Sequence, residues 1–425
     1  MNNFLSYAPL FTTYSHHKSQ YFFSIHHDIL SYAHNSHPII MIIKVIEKLI
    51  KKEKRRFEMK FNIKRTVLLN ALSRVSRAVS LKSPLPVLTG IKFDLQTDGL
   101  VLTGSDSDIS IQTKVTDDIE IIETGSVVLS SKYILEIVRK IASDTISFEI
   151  LDGALTRIDG GSSQFNLNGT PAFDYPRIDF AKKGTLLQAD SAILKRLIEE
   201  TSFATSENET RPVLTGVNFH AANNQLTCIA TDSYRLAQAS SPLSEETVFN
   251  IIIPKKSLVE ISRIIEKDET VDIYVEDKKV LFFIDDYMVL SRLIDGTFPD
   301  TSRLISDYYD FEMTVSSTAL LGAIDRTTLL SDEAKNLVTL TMNPDRVLMT
   351  SNSQEVGSVE EDLPKAFYKG DPLNISFSGK YLSDAIRSIN SDKVKLEFSG
   401  PMRPFIVKDL EKDDNIQVVL PVRTY

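Results

Sequence analysis

The sequence holds a single cysteine, Cys228, and no apolar stretch as long as a membrane-spanning helix. One thiol excludes an internal disulfide framework and any zinc or iron–sulfur site built from several cysteines. A spanning helix needs about 18–20 consecutive apolar residues, so no membrane segment is expected. The chain also lacks a Gly-rich phosphate loop ending in Lys-Ser/Thr, a GxGxxG pattern after a strand, and HExxH. These absences exclude the common nucleotide-binding and metalloprotease motifs and favour a reducing compartment, the cytoplasm.

The first 58 residues differ from the rest of the 425-residue chain. They are rich in Tyr and Phe, and their apolar stretch at 38–50 is followed by basic residues instead of a signal-peptide cleavage site. A histidine-rich tract could bind metal, but the histidine spacing repeats no ligand pattern. We expect a disordered leader or a misassigned start, with Met59 as the alternative initiator. The segment holds six of the seven histidines: His16, His17, His26, His27, His34 and His37.

From Met59 onward the chain repeats itself. Segment 86–93 (PVLTGIKF) recurs 126 residues later at 212–219 (PVLTGVNF), with a fainter copy at 336–342 (NLVTLTM). A second marker recurs at Lys132, Lys256 and Lys380, 124 residues apart both times. Two markers with nearly one period predict three domains, at 59–184, 185–308 and 309–425.

Each repeat has the pattern of a strand, an amphipathic helix, a hairpin, a second helix and closing strands. Hairpin turns are predicted at 98–99, 223–224 and 343–345, and the apolar stripe of the first helix is Val67, Leu68, Ala71, Leu72, Val75 and Val79. The predicted helices are 64–82, 131–143, 190–205, 254–267, 316–335 and 379–393. The fold class is therefore α+β, with two helices packed on antiparallel sheets in each domain.

The net charge of −9 is unevenly distributed along the chain. The leader carries +4, which leaves −13 on 59–425; the six predicted helices carry +8, so the strands and loops carry −21. Basic residues form helices well, but acidic residues do so equally and are not enriched. The segregation predicts a positive helical side that attracts phosphates without reading sequence. Asn70, Arg74 and Arg77 lie opposite the apolar stripe of the first helix, with Lys82 beyond them.

Few side chains suggest catalysis. His220 is expected at a strand surface, and Cys228 is typical of a small buried apolar residue. Asp232, Tyr234 and Arg235 could suggest acid–base chemistry, but no pocket can be derived from the sequence. Three acidic pairs could hold Mg²⁺, yet they fall at turns and at non-equivalent places in the repeat, where aspartate caps the chain. These are Asp106/Asp108, Asp117/Asp118 and Asp285/Asp286. We predict no catalytic residue, no metal and no cofactor.

Residues 59–425 resemble the bacterial DNA polymerase III beta subunit family, the replication sliding clamps. The matching segments are 59–61 (MKF), 85–88 (LPVL), 230–237 (ATDSYRLA), 295–300 (DGTFPD) and 420–425 (LPVRTY). The resemblance implies three repeated DNA-clamp domains, and a head-to-tail homodimer that forms a ring around duplex DNA with a helical inner wall. It implies a processivity factor, located in the cytoplasm at the nucleoid. Implied partners are the replicative DNA polymerase alpha subunit, the clamp loader, other DNA polymerases, and mismatch repair and ligase-type proteins, bound through short peptide motifs.

The resemblance also assigns site residues. It places DNA contacts at Lys82, Asn208 and Arg211, and we predict that Arg74 and Arg77, on the basic face of the first helix, also contact DNA. Topological retention explains why a net acidic chain can act on DNA. At the dimer joint it places Phe165 and Leu167 of one subunit against Leu329 and Leu330 of the other, a heterologous contact that closes after two copies.

A partner-peptide groove is implied between the second and third domains. An apolar trough with an arginine at its rim suits a short motif bearing a glutamine and leucine or phenylalanine anchors, bound with micromolar affinity, on the order of −8 kcal/mol. Tyr234 stands where many family members have histidine, and without the resemblance the apolar positions would be interpreted as ordinary core. The implied groove residues are Arg211, Leu214, Thr231, Ser233, Tyr234, Arg235, Leu236, Pro299, Arg303, Leu304, Met402, Pro404, Val418, Val419, Leu420, Pro421, Val422 and Arg423.

Two other functions compete with this one. A DNA-processing enzyme with a carboxylate–metal site would show nuclease activity that Asp106→Asn abolishes. A clamp-like paralogue would bind peptides without encircling DNA, but the apolar sets at the implied joint argue against it. The chain has no ATPase motif, so ring opening is expected to depend on a separate loader.

Overall fold

The structure, a computed structural model of the chain, describes residues 59–306, 308–331 and 336–423. The predicted leader, 1–58, lies outside the described residues. Three successive units follow, and each begins with a strand that leads directly into a helix. The first unit contains β1 (Lys60–Lys64), α1 (Arg65–Val75), β2 (Gly90–Gln96), β3 (Gly99–Ser105), β4 (Ile109–Val115), β5 (Ile119–Glu123), β6 (Gly125–Ser130), α2 (Ser131–Lys140), β7 (Thr145–Asp152), β8 (Leu155–Gly160), β9 (Ser163–Asn168) and β10 (Thr170–Pro171).

The other two units repeat this order. The middle unit contains β11 (Thr185–Asp190), α3 (Ser191–Thr201), β12 (Gly216–Ala222), β13 (Gln225–Thr231), β14 (Arg235–Pro242), β15 (Phe249–Pro254), α4 (Lys255–Ile264), β16 (Thr270–Val275), β17 (Lys279–Ile284) and β18 (Tyr287–Arg292). The last unit contains β19 (Phe311–Ser316), α5 (Ser317–Thr327), β20 (Leu337–Asn343), β21 (Arg346–Ser353), β22 (Gly357–Asp362), β23 (Phe367–Lys369), β24 (Leu373–Ser378), α6 (Gly379–Ile389), β25 (Lys393–Phe398), β26 (Phe405–Asp409) and β27 (Asn415–Val419).

Two nine-stranded antiparallel sheets cross the borders between units. Their strand orders are β10-β6-β2-β3-β4-β18-β17-β16-β11 and β15-β12-β13-β14-β27-β26-β25-β19-β23. The first is continuous because β4 pairs with β18, and the second because β14 pairs with β27. The first unit also has a five-stranded sheet, β5-β1-β7-β8-β9, and the last unit a four-stranded sheet, β22-β21-β20-β24. Strands β9 and β22 are therefore edge strands in different units.

The hairpins follow the turn chemistry of the sequence. Phe93 of β2 lies opposite Leu102 of β3 across the predicted 98–99 turn. Asn223 and Asn224 both have left-handed backbone, with φ of 52° and 56°, as a two-residue hairpin turn requires. Cys228 is buried in β13, and His220 is exposed on β12, as expected.

The six helices form one continuous row, α2-α1-α4-α3-α6-α5. The two helices of each unit contact each other, and α3 contacts α6. Arg77, in the turn after α1, forms an ion pair with Glu260 of α4 and so links these two helices. The helices hold thirteen basic and six acidic residues within their bounds, a net charge of +7. Buried Leu68, Leu72 and Val75 confirm the apolar stripe of α1.

The predicted helices were too long at their carboxyl ends. Helix α1 ends at Val75, where a 3₁₀ turn at Ser76–Ala78 takes over, and Lys82 lies beyond both. Helices α3 and α5 end in the same way, while part of the predicted 316–335 helix lies outside the described residues. A 3₁₀ turn tightens the last carbonyl bonds of a helix and keeps its side-chain spacing nearly helical, so periodicity alone does not mark the end. In the described part of the chain, no helix is long and apolar enough to cross a membrane.

Candidate functional site

An apolar cluster lies where β14 of the middle unit pairs with β27 of the last unit. We call it the junction cluster. Its buried centre is Leu236, Ile406 and Val418, from three neighbouring strands. Partly buried residues pack around this centre: Ile229, Leu304, Ile305, Tyr309, Ile416 and Leu420. Leu304, Ile305 and Tyr309 come from the connector between the two units, so the connector forms one wall of the cluster.

Exposed apolar side chains border the junction cluster. Tyr234, 64% exposed, accepts a backbone hydrogen bond from Leu420 N at 3.1 Å, which joins the end of β27 to the turn before β14. Val422 follows and is held by a bond from its N–H to Ser376 O at 2.7 Å. Met402 is also half exposed, in the loop that leads to β26. Exposed apolar groups next to a buried apolar floor are typical of a peptide-binding surface.

Arg235, predicted as a groove residue, is instead held inside the junction between the two units. Its guanidinium lies 3.0 Å from Asp232 and 2.6 Å from Asp384 of α6, and it donates to Phe203 O at 3.0 Å. The same group stacks over the rings of Phe203 and Tyr381, at 5.2 and 4.7 Å. Only 11% of its side chain is exposed. The five contacts leave Arg235 little capacity for a bound peptide.

Side-chain hydrogen bonds hold the turn before β14. Asp232 Oδ1 accepts bonds from the backbone N–H of Tyr234 and of Arg235, at 2.9 and 3.0 Å. Ser233 has a left-handed backbone with φ of 80°, and its hydroxyl accepts a bond from Arg211 at 3.1 Å. These three hydrogen bonds, with the bond from Leu420 N to Tyr234 O, set the position of Tyr234.

The remaining implied groove residues divide by exposure. Leu214 and Thr231 are buried, and Val419 packs in the core of the last unit, on a cluster separate from the junction cluster. Exposed members are Arg211, Pro299, Arg303 and Arg423, and half-buried members are Leu304, Pro404, Leu420 and Pro421. The exposed members thus include three arginines, Arg211, Arg303 and Arg423, and the half-buried members are all leucine or proline.

The predicted DNA contacts differ in whether their charges are already paired within the chain. Arg74 pairs with Glu266 and stacks on Tyr287 at 4.8 Å, and Arg77 lies 3.2 Å from Glu260. Both carboxylates belong to the middle unit, so these arginines hold the first two units together. Lys82 is exposed and has no ion-pair partner among the described residues. Asn208 is exposed in a loop, where its Oδ1 accepts from Thr210 N at 3.0 Å.

The implied dimer contacts lie at the two edge strands. Phe165 and Leu167 are half-buried on β9, whose outward side has no strand partner among the described residues. Leu329 is 77% exposed and Leu330 half-buried, in a 3₁₀ turn that contacts β22. The structure of the single chain does not bring these two sets together.

The acidic pairs act as caps and ion-pair partners. Asp106 caps the turn before β4 through bonds from Asp108 N and Ile109 N, and pairs with Lys256 of the middle unit. Asp118 pairs with Lys64, and Asp285 with Lys267, at 3.2 and 3.1 Å. Within the described residues, no group of three or more His, Cys, Asp or Glu side chains could hold a metal ion.

Sequence reasoning missed the partners that define the site. Ile305 and Tyr309 of the connector were not assigned, although two apolar residues before a Tyr-Tyr pair in a polar connector are a usable signal. Asp384 and Tyr381, which fix Arg235, lie 149 and 146 positions away in sequence, and no local pattern predicts that contact.

Protein-family models of three successive domains match the chain in the same order. The N-terminal domain of the DNA polymerase III beta subunit matches 59–179, the central domain 188–300 and the C-terminal domain 302–423. The chain belongs to the DNA polymerase III beta subunit family. The three repeated clamp domains expected from the sequence are thereby confirmed.

Relatives of this family, the sliding clamps, match over their full length. The Bacillus subtilis beta sliding clamp is 40% identical over 378 residues, and the Staphylococcus epidermidis one 39% over 376, each covering 86% of this chain and 100% of the relative. The crystal structure of the Bacillus subtilis clamp superposes with a TM-score of 0.84 at 39% identity, covering 87% of this chain and all of that one. A Pseudomonas aeruginosa clamp bound to griselimycin gives 0.82 at 27%, covering 86% of this chain and all of its own.

Proposed function

We propose that two copies of this sliding clamp close head to tail around duplex DNA and serve as a non-catalytic processivity factor for the replicative DNA polymerase. One observation carries the proposal. At both internal junctions the fourth strand of one unit, β4 or β14, pairs with the last strand of the next, β18 or β27. The corresponding fourth strand of the last unit is β22, and the strand of the first unit that corresponds to β18 and β27 by its pairing is β9. Both are edge strands, so a second chain can complete each of them.

The internal junctions also supply a register for the joint between chains. Ile109 of β4 pairs with Ser291, and Arg235 of β14 pairs with Val419. Counting along the third strand from the hairpin that joins it to the second, Asn352 takes the place of Ser105 and Thr231. Asn352 pairs with Ser358, so the residue of β22 before it, Gly357, is the equivalent of Ile109 and Arg235. By the pairing of the last two strands in each unit, the equivalent of Ser291 in β9 is Leu167. The proposed joint therefore sets Gly357 opposite Leu167.

The same register sets Val359 opposite Phe165, two residues along. An apolar cross-strand pair stabilises a sheet, and Leu329 and Leu330 beside β22 add apolar surface at this joint. The head-to-tail joint rests on unlike edges, so it closes only when both ends of each chain are used.

We further propose that the junction cluster binds peptide segments of partner proteins, including the polymerase alpha subunit and the clamp loader, with the other polymerases and the repair and ligase-type proteins using the same surface. The support is the buried floor of Leu236, Ile406 and Val418 with half-buried Leu304 and Leu420 above it. Lys82, Asn208 and Arg211 would contact phosphates as DNA passes through the ring, in the cytoplasm at the nucleoid.

Retention on DNA of defined topology tests the ring. The clamp is loaded on a nicked circle by the cognate loader and ATP, and the circle is then linearised. We expect retention on the circle and rapid loss from the linear form, because weak phosphate contacts alone do not keep the protein on DNA with open ends. Equal retention before and after linearisation would contradict the proposal. The matched control is Leu329→Ala with Leu330→Ala, which should fail to be retained on either form.

A further inference from the structure

The junction between the first and middle units contains a counterpart of the junction cluster. Pairing along the sheets makes the two junctions equivalent residue by residue: the ladder Val280–Ser291–Ile109 in one corresponds to Phe405–Val419–Arg235 in the other. By the same registers, Arg292 takes the place of Leu420, and Lys279 takes the place of Pro404.

The floor of this counterpart is more polar than that of the junction cluster. Ser110 takes the place of Leu236, while Leu281 and Leu290 take those of Ile406 and Val418. Beside this floor, Thr103 takes the place of Ile229. The hydroxyl of Ser110 lies 2.8 Å from that of Ser105, and Thr103 accepts a bond from Gln112 at 2.9 Å. Satisfied hydroxyl groups in place of Leu236 and Ile229 reduce the gain from burying a leucine or phenylalanine anchor. The counterpart is therefore less suited than the junction cluster to an apolar motif.

A cavity of about 720 Å³ opens at this position. We call it the basic groove. Four cations and two carboxylates line it, a net charge of +2: Lys183 of the connector, Lys278, Lys279 and Arg292, with Glu276 and Asp277. Lys279 and Arg292 are direct cross-strand neighbours on β17 and β18. Like charges in that arrangement repel and destabilise the pair unless an anion lies between them.

Only part of this charge is neutralised within the chain. Asp179 lies 3.0 Å from Lys183 and 3.5 Å from Lys279, and Glu276 lies 3.3 Å from Lys279. The bond from Lys183 lowers the pKa of Asp179 to about 2, so this carboxylate stays ionised and committed to its lysines. Lys278 and Arg292 have no ion-pair partner among the described residues. Two cations of the basic groove remain available to a ligand.

We propose that the basic groove binds an extended peptide segment with clustered Asp or Glu side chains, supplied by a protein partner. The wall formed by a connector and the floor formed by strand ends match the layout of the junction cluster, which favours an extended chain. A cavity of this size holds a few side chains. The strands and loops of residues 59–425 carry a net negative charge, which repels a long phosphate backbone more than a short acidic segment. Such binding is weak and falls with salt.

Fluorescence anisotropy of a labelled octaglutamate peptide with the full chain tests this assignment. We expect binding at low ionic strength that the double substitution Lys278→Gln with Arg292→Gln weakens by about 10-fold, in line with the loss of two close charge pairs. The matched control is Lys369→Gln with Lys412→Gln, which removes the same charge from the last unit and should leave binding within about twofold.

Three outcomes would overturn the proposal. The first is no octaglutamate binding at low salt, and the second is an equal loss in both double variants, which would mean non-specific attraction. The third is tighter binding of an octathymidylate through the same two residues, which would assign the groove to nucleic acid. Leu304→Ala with Leu420→Ala, which alters the junction cluster, should leave octaglutamate binding unchanged. The test of the basic groove is therefore independent of whether the junction cluster binds peptides.

Discussion

Arg235 of the middle unit and Asp384 of the last unit form an ion pair at 2.6 Å, between the faces of two aromatic rings. The pair lies one residue from exposed Tyr234 and directly opposite Val419 in the sheet. The orientation of the two units and the shape of the groove between them therefore depend on the same guanidinium.

We expect Arg235→Met to lower the stability of the junction by about 3 kcal/mol, because it leaves Asp384 and Asp232 without their buried partner. Urea denaturation, followed by fluorescence of the tyrosines, measures the change. Arg235→Lys should recover only part of the loss, since an ammonium cannot replace the planar fork or its stacking. Full stability of Arg235→Met would show that the ring stacking and the pair contribute nothing.

The joint between chains can be tested by its register. Phe165→Cys with Val359→Cys should give a disulfide-linked dimer on mild oxidation, since directly opposite residues have Cβ atoms about 5 Å apart. Denaturing electrophoresis without reductant detects it. Native Cys228 is buried and does not compete. Phe165→Cys with Glu360→Cys, one position out of register, is the control, and equal cross-linking of the two would sink the proposed register.

Leu329→Ala with Leu330→Ala should yield monomers, because most of the exposed apolar surface beside β22 is removed. Sedimentation velocity gives the mass directly. An unchanged dimer mass would exclude these two residues from the joint.

Partner binding should depend on the half-buried leucines of the junction cluster. A synthetic peptide with a glutamine and Leu-Phe anchors should bind at least 10-fold more weakly, or about 1.4 kcal/mol, to Leu304→Ala with Leu420→Ala. Isothermal titration measures the affinity. Leu81→Ala with Phe173→Ala removes two exposed apolar side chains of the first unit and should have no effect; a loss there of similar size would mean that the peptide binds elsewhere.

DNA binding should depend most on the basic residues that have no ion-pair partner within the described chain. Lys82→Ala should weaken binding to short duplex DNA and reduce the slope of log affinity against log salt by about 1, the effect of one phosphate contact. Arg77→Ala should change the slope less, because Glu260 already neutralises Arg77. Glu260→Gln should strengthen binding; a weaker complex would mean that Arg77 needs its carboxylate to be positioned.

Glu200 lies at the junction of the middle and last units, where its backbone oxygen accepts a hydrogen bond from Gln417. It predicts that the stability of the chain depends on pH. Burial raises the pKa of its carboxyl, and this exceeds the opposing effect of Arg196 at 3.0 Å. A raised folded-state pKa contributes stability that is present below the unfolded pKa and is lost as pH rises through the folded value. Glu200→Gln should therefore gain stability relative to wild type between pH 4 and 7 in thermal melts. A constant difference across this range would show that the carboxyl is not perturbed.

The repeat and its hairpins could be predicted because they depend on local chemistry. The Asn223-Asn224 turn, the stripe of α1 and the burial of Cys228 follow from turn preferences and periodicity. The ends of the helices could not be predicted as well, because a 3₁₀ turn continues the apolar spacing past Val75.

The chemistry of the site depended on distant contacts. The sequence placed Arg74, Arg77 and Arg235 as ligand-binding cations, but each meets a carboxylate from another unit. Ion pairs across 149 to 192 positions leave no local pattern, so free and committed arginines look alike in the sequence.

Strand β22 ends in Glu360, Glu361 and Asp362, three acidic residues in a row on an edge. Glu361 and Asp362 are paired with Arg326 and Arg346, while Glu360 has no ion-pair partner among the described residues. Two such edges meeting each other would therefore bring unpaired glutamates together, which is unfavourable. The β22 edge therefore disfavours pairing with the β22 edge of another chain and favours pairing with the uncharged β9 edge. In the proposed ring both chains then run in one rotational sense, and both grooves open on one side. The ring has a front and a back, so every partner that docks on it approaches the DNA from the same direction.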